Sequence, residues 1–192
     1  MSSNVEQLIK RYSFEDIAMI RSAKKEEAEI LTKLCYKSKG YWNYPQEYFE
    51  IWKDELIIIP DYIEKNEVFV YERDGAVVGY YSIVELPEDV EVSGITLGKG
   101  FWLDHMFVEP ENIGNGIGTK MFDHLRRRCR SRGINELGIL ADPNSRGFYN
   151  KMGCVFKREY PSTIKNRTTP YLQLKIEERF PADRKDSLSA EA

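Results

Sequence analysis

The sequence predicts a single α/β domain, and three observations carry that expectation. Two apolar runs flank the turn dipeptide Asp74-Gly75, the signature of a hairpin. Gly114, Gly116 and Gly118 stand at alternate positions between an extended run ending at Val108 and a long amphipathic helix. A second helix start, Asp142-Pro143, is followed by two further strand-like runs.

The polar residues 1–12 read as a lead-in, 13–178 as the domain, and 179–192 as a polar, unstructured tail. Phe14 to Arg21 is the first strand. Ala23 to Ser38 is helical, with Ile30, Leu31, Leu34 and Cys35 at helical spacing and Gly40 as a stop. A second helix runs from Pro45 to Ile58, with Phe49, Trp52, Leu56 and Ile59 as its apolar side. Strands follow at Val68 to Glu72, Ala76 to Leu86, Val90 to Thr96 and Gly100 to Val108. The helix after the glycines reaches Arg132, and Ile117, Met121, Leu125 and Cys129 recur every fourth residue on one face. Gly133 caps it. Asn135 to Leu140 is a strand, Asp142 caps a helix that ends at Met152-Gly153, and Val155 to Tyr160 and Tyr171 to Ile176 close the sheet.

The bulk properties exclude several function classes. The formal net charge is −3, from 28 basic and 31 acidic residues, so no global basic field attracts nucleic acid. The arginines between Arg126 and Arg132 read as a solvated helix face. Cys35, Cys129 and Cys154 lack metal-ligand or disulfide spacing and suit reduced, buried thiols in a cytoplasmic protein. No apolar run approaches the ~18 residues needed to span a membrane.

The glycine turn carries the chemistry. A helix N-terminus leaves amides without acceptors, and glycine lets a ligand approach the backbone closely. Together they favour a phosphate group, a diphosphate above all. A dinucleotide site is disfavoured because the glycines come late, after meander-like strands. A P-loop is excluded because Gly118 precedes Thr119-Lys120, the reverse of the required order.

The segment from Val108 through Pro110 to Ile113-Gly114-Asn115-Gly116-Ile117-Gly118 resembles the acetyl-CoA motif of the GNAT superfamily of N-acetyltransferases. Ile113 departs from it, standing where the family prefers Arg or Gln. Asp142-Pro143-Asn144 with Gly147-Phe148-Tyr149-Asn150-Lys151-Met152-Gly153 resembles the family's second motif. The resemblance implies the GNAT fold: a central, mixed, mostly antiparallel twisted sheet of about 6–7 strands flanked by about 4 helices. It implies acetyl-CoA as acyl donor, bound by Met106, Phe107, Val108, the turn Ile113, Gly114, Asn115, Gly116, Ile117, Gly118 and Thr119, and Asn144, Phe148 and Lys151. Backbone amides supply most of these contacts, including that of Ile113.

The reaction such a family catalyses moves an acetyl group to an amine. A lysine-like amine, with a pKa near ~10.4, costs roughly 4–5 kcal/mol to neutralise at pH 7, so a base helps. Asp104 and His105 are the candidate bases, with Glu85 or no protein base as further readings. Strand alternation puts one of the pair on the acceptor side unless a bulge intervenes. The resemblance makes Tyr149 the donor to the departing sulfur, and an ordinary phenol suits that task without drastic tuning.

Tyr41, Trp42 and Tyr44, with Tyr48, Phe49 and Trp52, read either as an acceptor pocket holding a cationic amine by cation–π contacts or as a packed corner. The Ser162–Pro170 segment either closes over the acceptor, with Arg167 as an anion partner, or is a plain loop. The expected partner is thus a small-molecule amine. A protein or peptide acceptor, or a CoA-binding sensor without turnover, are the alternatives. No nucleic acid or membrane partner is expected, and the resemblance admits a homodimer.

Overall fold

A computed structural model describes residues 19–177. The expected lead-in, the tail over 179–192, and the 14–18 part of the first strand lie outside the described residues. In chain order the elements are β1 (Met19–Ser22), α1 (Ala28–Gly40), α2 (Gln46–Leu56), α3 (Pro60–Lys65), β2 (Glu67–Arg73) and β3 (Ala76–Leu86). Then come β4 (Val90–Val92), β5 (Ile95–Leu97), β6 (Gly100–Val108), α4 (Ile117–Ser131), β7 (Glu136–Leu140), α5 (Arg146–Lys151), β8 (Val155–Pro161) and β9 (Thr168–Lys175).

Seven strands form one sheet in the order β1-β2-β3-β6-β7-β9-β8. All neighbours are antiparallel except β6 and β7. Asp74 and Gly75 both take positive φ, which suits the tight turn between β2 and β3.

Two expectations need correction. The Pro45–Ile58 helix stops at Leu56, because the residue before Pro60 is pushed out of the helical region. Pro60 then opens the separate helix α3, and Ile59, expected on the apolar side, is 53% exposed. The single strand expected over Val90–Thr96 is instead the hairpin β4–β5, turned at Ser93-Gly94, both at positive φ. It forms its own two-stranded sheet.

The sheet sits between two apolar layers. Phe69, Tyr71, Tyr81 and Leu103 pack with α4 and Tyr149 of α5. Val68, Val70, Tyr80 and Phe107 pack with α1, α2 and α3. Ile117, Met121, Phe122, Leu125 and Cys129 of α4 are buried almost completly, each worth roughly 1.5–3 kcal/mol for the large apolar side chains. The arginines at the end of α4 are tied down: Arg128 and Arg132 pair with Glu67, and Arg126 donates to the Met152 carbonyl. The three cysteines are buried thiols. Among the described residues no helix is long and apolar enough to cross a membrane.

Candidate functional site

The parallel junction of β6 and β7 creates the opening. The two strands pair only from Phe101 to Leu103 on β6, against Leu137 to Ile139 on β7. Trp102 lies over Gly138, whose missing side chain makes room for the ring: an added Cβ would stand 2.7 Å from it. Beyond Leu103, β6 continues beside β3 while its other edge has no strand partner. The Glu109 amide donates to the Val78 carbonyl on the β3 side. By alternation, Met106 and Val108 turn their amides and carbonyls to the open edge.

The glycine turn closes one end of this slot. Gly116 caps α4 at φ 77°. The first amide of the helix with a helical acceptor is that of Lys120, bonded to the Gly116 carbonyl at 3.1 Å. The amides of Gly114, Gly116, Ile117, Gly118 and Thr119 have no acceptor among the described residues, as a helix N-terminus dictates. Two expected donors are spent within the protein. Ile113 donates to the Pro110 carbonyl at 3.2 Å and Asn115 to the Asn112 carbonyl at 3.3 Å, because the preceding 3-10 turn needs them. The Ile117 side chain is core, with 1% exposure, so only its backbone can meet a ligand.

Slot and turn open into one cavity of about 850 Å³, lined among others by Asp104, His105, Met106, Phe107, Val108, Ile113, Gly114, Gly116, Gly118, Thr119, Asn144, Phe148, Tyr149, Lys151 and Trp42. Tyr149 is buried beneath it, and none of the hydrogen bonds among the described residues involves its hydroxyl. Burial, then Cys154 and Asp142, push its phenol well above the ordinary 10. That corrects the expectation of an untuned donor. The tuning makes full proton transfer to a thiolate harder and leaves a neutral hydrogen-bond donor at neutral pH.

A bulge decides the arrangement of the acid pair. Ser82 pairs with His105 and Ile83 with Leu103, which leaves Asp104 as the extra residue of β6. Leu103 and Met106 therefore face the α4 layer, while Asp104 and His105 both turn toward α1–α3. Asp104 is 41% exposed on its side chain, whereas His105 is 12% exposed beneath it. Tyr62 donates to the Asp104 carboxylate at 2.5 Å and contacts the Ser82 hydroxyl at 2.6 Å. His105 Nδ1 bonds the Tyr80 hydroxyl at 2.7 Å, and Tyr80 in turn contacts the Cys35 thiol at 2.5 Å. His105 Nε2 lies 3.7 Å from Asp104 Oδ2. Burial depresses the His105 pKa below its ordinary 6.5, although Asp104 pulls it upward. Glu85 stands elsewhere, on β3 opposite Phe101, and faces Arg132 at 4.0 Å.

The aromatic segment builds a corner more than a box. Tyr44, Tyr48, Phe49 and Trp52 pack edge-to-face or tilted at 5.2–6.0 Å. The cation sites on these rings are filled from within: Lys39 Nζ lies 4.5 Å from the Trp52 ring centre, and the Arg167 guanidinium 5.1 Å from that of Tyr44. Tyr41 is 46% exposed and stacks edge-on against Trp42 outside the cavity. Tyr44 is a strut, its hydroxyl donating to Asp142 at 2.7 Å and accepting from Asn144 and Arg167.

Residues that the sequence did not single out complete the cavity. Val92, Ser93, Ile95 and Leu97 of the β4–β5 hairpin line it, as do Asp54, Glu55 and Tyr62. Tyr62 and Tyr80 carried no signal, because their roles depend on the bulge and on helix α3. Ser93-Gly94 was a readable turn signal.

The Acetyltransferase (GNAT) family model matches residues 30–154. The peptidyl-lysine N-acetyltransferase YiaC of Escherichia coli is 28% identical over 111 residues, 57% of this chain and 66% of that protein. The match thus spans just under two thirds of that relative's length. Among solved structures, PaiA N-acetyltransferase of Thermoplasma acidophilum with coenzyme A shares 17% identity at TM-score 0.62, over 82% of this chain and 98% of that one. A GNAT family acetyltransferase of Brucella melitensis with acetyl-CoA shares 21% identity at TM-score 0.54, over 87% and 93%. These two likenesses show the fold.

Proposed function

Since the chain belongs to the GNAT acetyltransferase family, we propose that it is an acetyl-CoA-dependent N-acetyltransferase that moves an acetyl group directly to a primary amine of a small molecule. The observation that carries this reading is the row of amides without acceptors at Gly114, Gly116, Ile117, Gly118 and Thr119, set beside the unpaired edge of β6. The first suits a diphosphate and the second suits the amides of a pantetheine arm added like a strand.

Acetyl-CoA supplies an activated thioester. The chain supplies binding, a proton acceptor and an electrostatic frame. Met106 and Val108 offer amides along the open edge, one of which is placed to meet a developing oxyanion. Asp104 accepts the amine proton, directly or through one water. It is the exposed member of the pair, and Tyr62 leaves one of its oxygens free for that task. Neutral His105, held by Tyr80, positions it from below. Tyr149 hydrogen-bonds the departing sulfur.

The β4–β5 hairpin and the segment around Arg167 both line the cavity, whose volume of about 850 Å³ suits a small acceptor. A second reading, a lysine of a peptide, is favoured by the name of the Escherichia coli relative. The test is thiol release from acetyl-CoA across a panel of small amines and a lysine peptide, with Tyr149→Phe alongside. Release with small amines, slowed by the substitution, supports the first reading. Release with the peptide alone replaces it. CoA binding without release on any acceptor, and no effect of Tyr149→Phe, makes the chain a CoA-binding sensor. Absence of a melting shift at millimolar CoA removes the donor claim.

A further inference from the structure

The acceptor side of the cavity has a positive wall with capacity to spare. Asp142 is saturated. Its Oδ1 accepts from Tyr44 at 2.7 Å and from the Asn144 amide at 3.0 Å, and its Oδ2 accepts from Lys39 at 2.8 Å and from Arg167 at 3.3 Å. Burial pushes its carboxyl up, but Lys39, Tyr44 and the Asn144 amide outweigh that and hold it ionised. Two cations therefore share one carboxylate, with side-chain exposures of only 16%, 16% and 12%.

Arg167 spends only one corner of its guanidinium. Both of its hydrogen bonds, to Tyr44 and to Asp142, leave from Nη2. Nε and Nη1 have no hydrogen-bond partner among the described residues, and Arg167 lines the cavity. The guanidinium is held between the Tyr44 and Trp52 rings, at 5.1 and 5.2 Å. The segment that presents it is ordered by its own bonds: Ser162 amide to the Arg167 carbonyl at 3.0 Å, Arg167 amide to the Ile164 carbonyl at 3.1 Å, with Ile164 buried. Nε and Nη1 lie on separate edges of the guanidinium, so each can give one charge-assisted hydrogen bond to a carboxylate oxygen. Asp54, Glu55 and Asp104 line the same cavity. Lys39, Asp104 and Arg167 all act electrostatically on Glu55, so the cations and Asp104 lie near one another around it.

We propose that the acceptor is an amine that also carries a carboxylate, an amino-acid-type substrate whose anionic end docks on Arg167 with Lys39 beside it while its ammonium faces Asp104. This rests on the N-acetyltransferase reading and names the substrate class of that same site.

The experiment compares matched pairs, leucine with 3-methylbutylamine and phenylalanine with 2-phenylethylamine, on the wild type, Arg167→Gln and Arg167→Lys. The wild type is expected to prefer the carboxylated member by about tenfold or more in kcat/KM. Arg167→Gln is expected to abolish the preference by raising the amino-acid KM far more than the KM for the plain amine. Arg167→Lys, which retains the charge but not the planar donors, recovers part of it. An equal loss on both members of each pair makes Arg167 structural and overturns the proposal, as does no preference in the wild type. A raised KM for acetyl-CoA alone assigns Arg167 to the donor and also overturns it.

A readout without turnover separates this from the enzyme reading. In the presence of CoA, N-acetylleucine is expected to raise the melting temperature of the wild type and not of Arg167→Gln, while N-(3-methylbutyl)acetamide treats both alike. That pattern without thiol release retains the carboxylate site and removes the transferase. Neither thiol release nor an Arg167-dependent shift removes both.

Discussion

Gly118→Ala separates what the fold requires from what a ligand requires. Gly118 is the second residue of α4 and has an ordinary φ, so alanine meets no backbone strain. An added Cβ would stand 3.3 and 3.4 Å from the edge of the half-buried Phe148 ring, which must give by a few tenths of an ångström. Alanine gains up to ~1 kcal/mol in helix propensity, and the crowding offsets part of it. Stability should stay within about 1 kcal/mol, a melting shift under about 4 °C. Ligand binding is different. The methyl group stands at the mouth of the turn, where a diphosphate must approach the Gly118 and Thr119 amides. Loss of one charge-assisted hydrogen bond costs about 1.5–3 kcal/mol, or roughly 10–150-fold in Kd for CoA. Gly116→Ala is the control. Its φ of 77° costs alanine about 1–2 kcal/mol, so its melting temperature falls although nothing lies within 4 Å of the new Cβ. Calorimetric titration with CoA and thermal melts read the two effects. Wild-type CoA affinity in Gly118→Ala would refute the diphosphate cradle.

Other outcomes follow from the same geometry. Asp104→Asn should lower kcat/KM about 10²–10⁴-fold with CoA affinity intact, and Tyr62→Phe should lower it by about tenfold; equal activity in Asp104→Asn would pass the base role to another group. Burial depresses His105, so the unfolded chain binds a proton that the folded chain resists. Stability is complete above about pH 6.5 and declines as pH falls through the window beneath, and His124, also depressed, adds the same sign. Urea midpoints at about pH 7 and pH 5 should show this, and His105→Gln should flatten the slope; an unchanged slope removes His105 from the account. Gly138→Ala places a Cβ 2.7 Å from Trp102 and should cost about 1–3 kcal/mol, read as a lowered melting temperature.

Most of the fold was legible because it is local. Asp74-Gly75, Gly133 and Asp142-Pro143 mark boundaries through backbone conformations that few other residues accept, and each marks one in the structure. The errors have local causes too. Ser93-Gly94 turns the chain inside a segment that reads as one strand, and the helix expected to Ile58 ends at Leu56, where Ile57 turns extended. The strand order was not legible. The parallel β6–β7 pairing that opens the slot depends on contacts between segments over thirty residues apart, beyond any pattern within one of them.

The site divides along the same line. The glycine turn and the helix it opens were readable as a stretch, but the 3-10 turn that consumes the Ile113 and Asn115 amides follows from the path of the chain and not from residue type. The acid pair shows the limit most sharply. A regular strand gives Asp104 and His105 opposite faces, and choosing between them is then a choice of face. One extra residue in β6 removes that choice by turning both toward the α1–α3 layer. What separates them is depth: His105 is enclosed by Tyr80 and Tyr62, while Asp104 stands above it at the cavity. Deleting the extra residue restores regular pairing between β3 and β6, straightens the strand below the cavity and strips Tyr62 of its acceptor. Deletion of Asp104 should therefore cost more activity than Asp104→Asn with CoA affinity preserved, and equal losses in the two variants would mean that the bulge contributes nothing beyond the carboxylate.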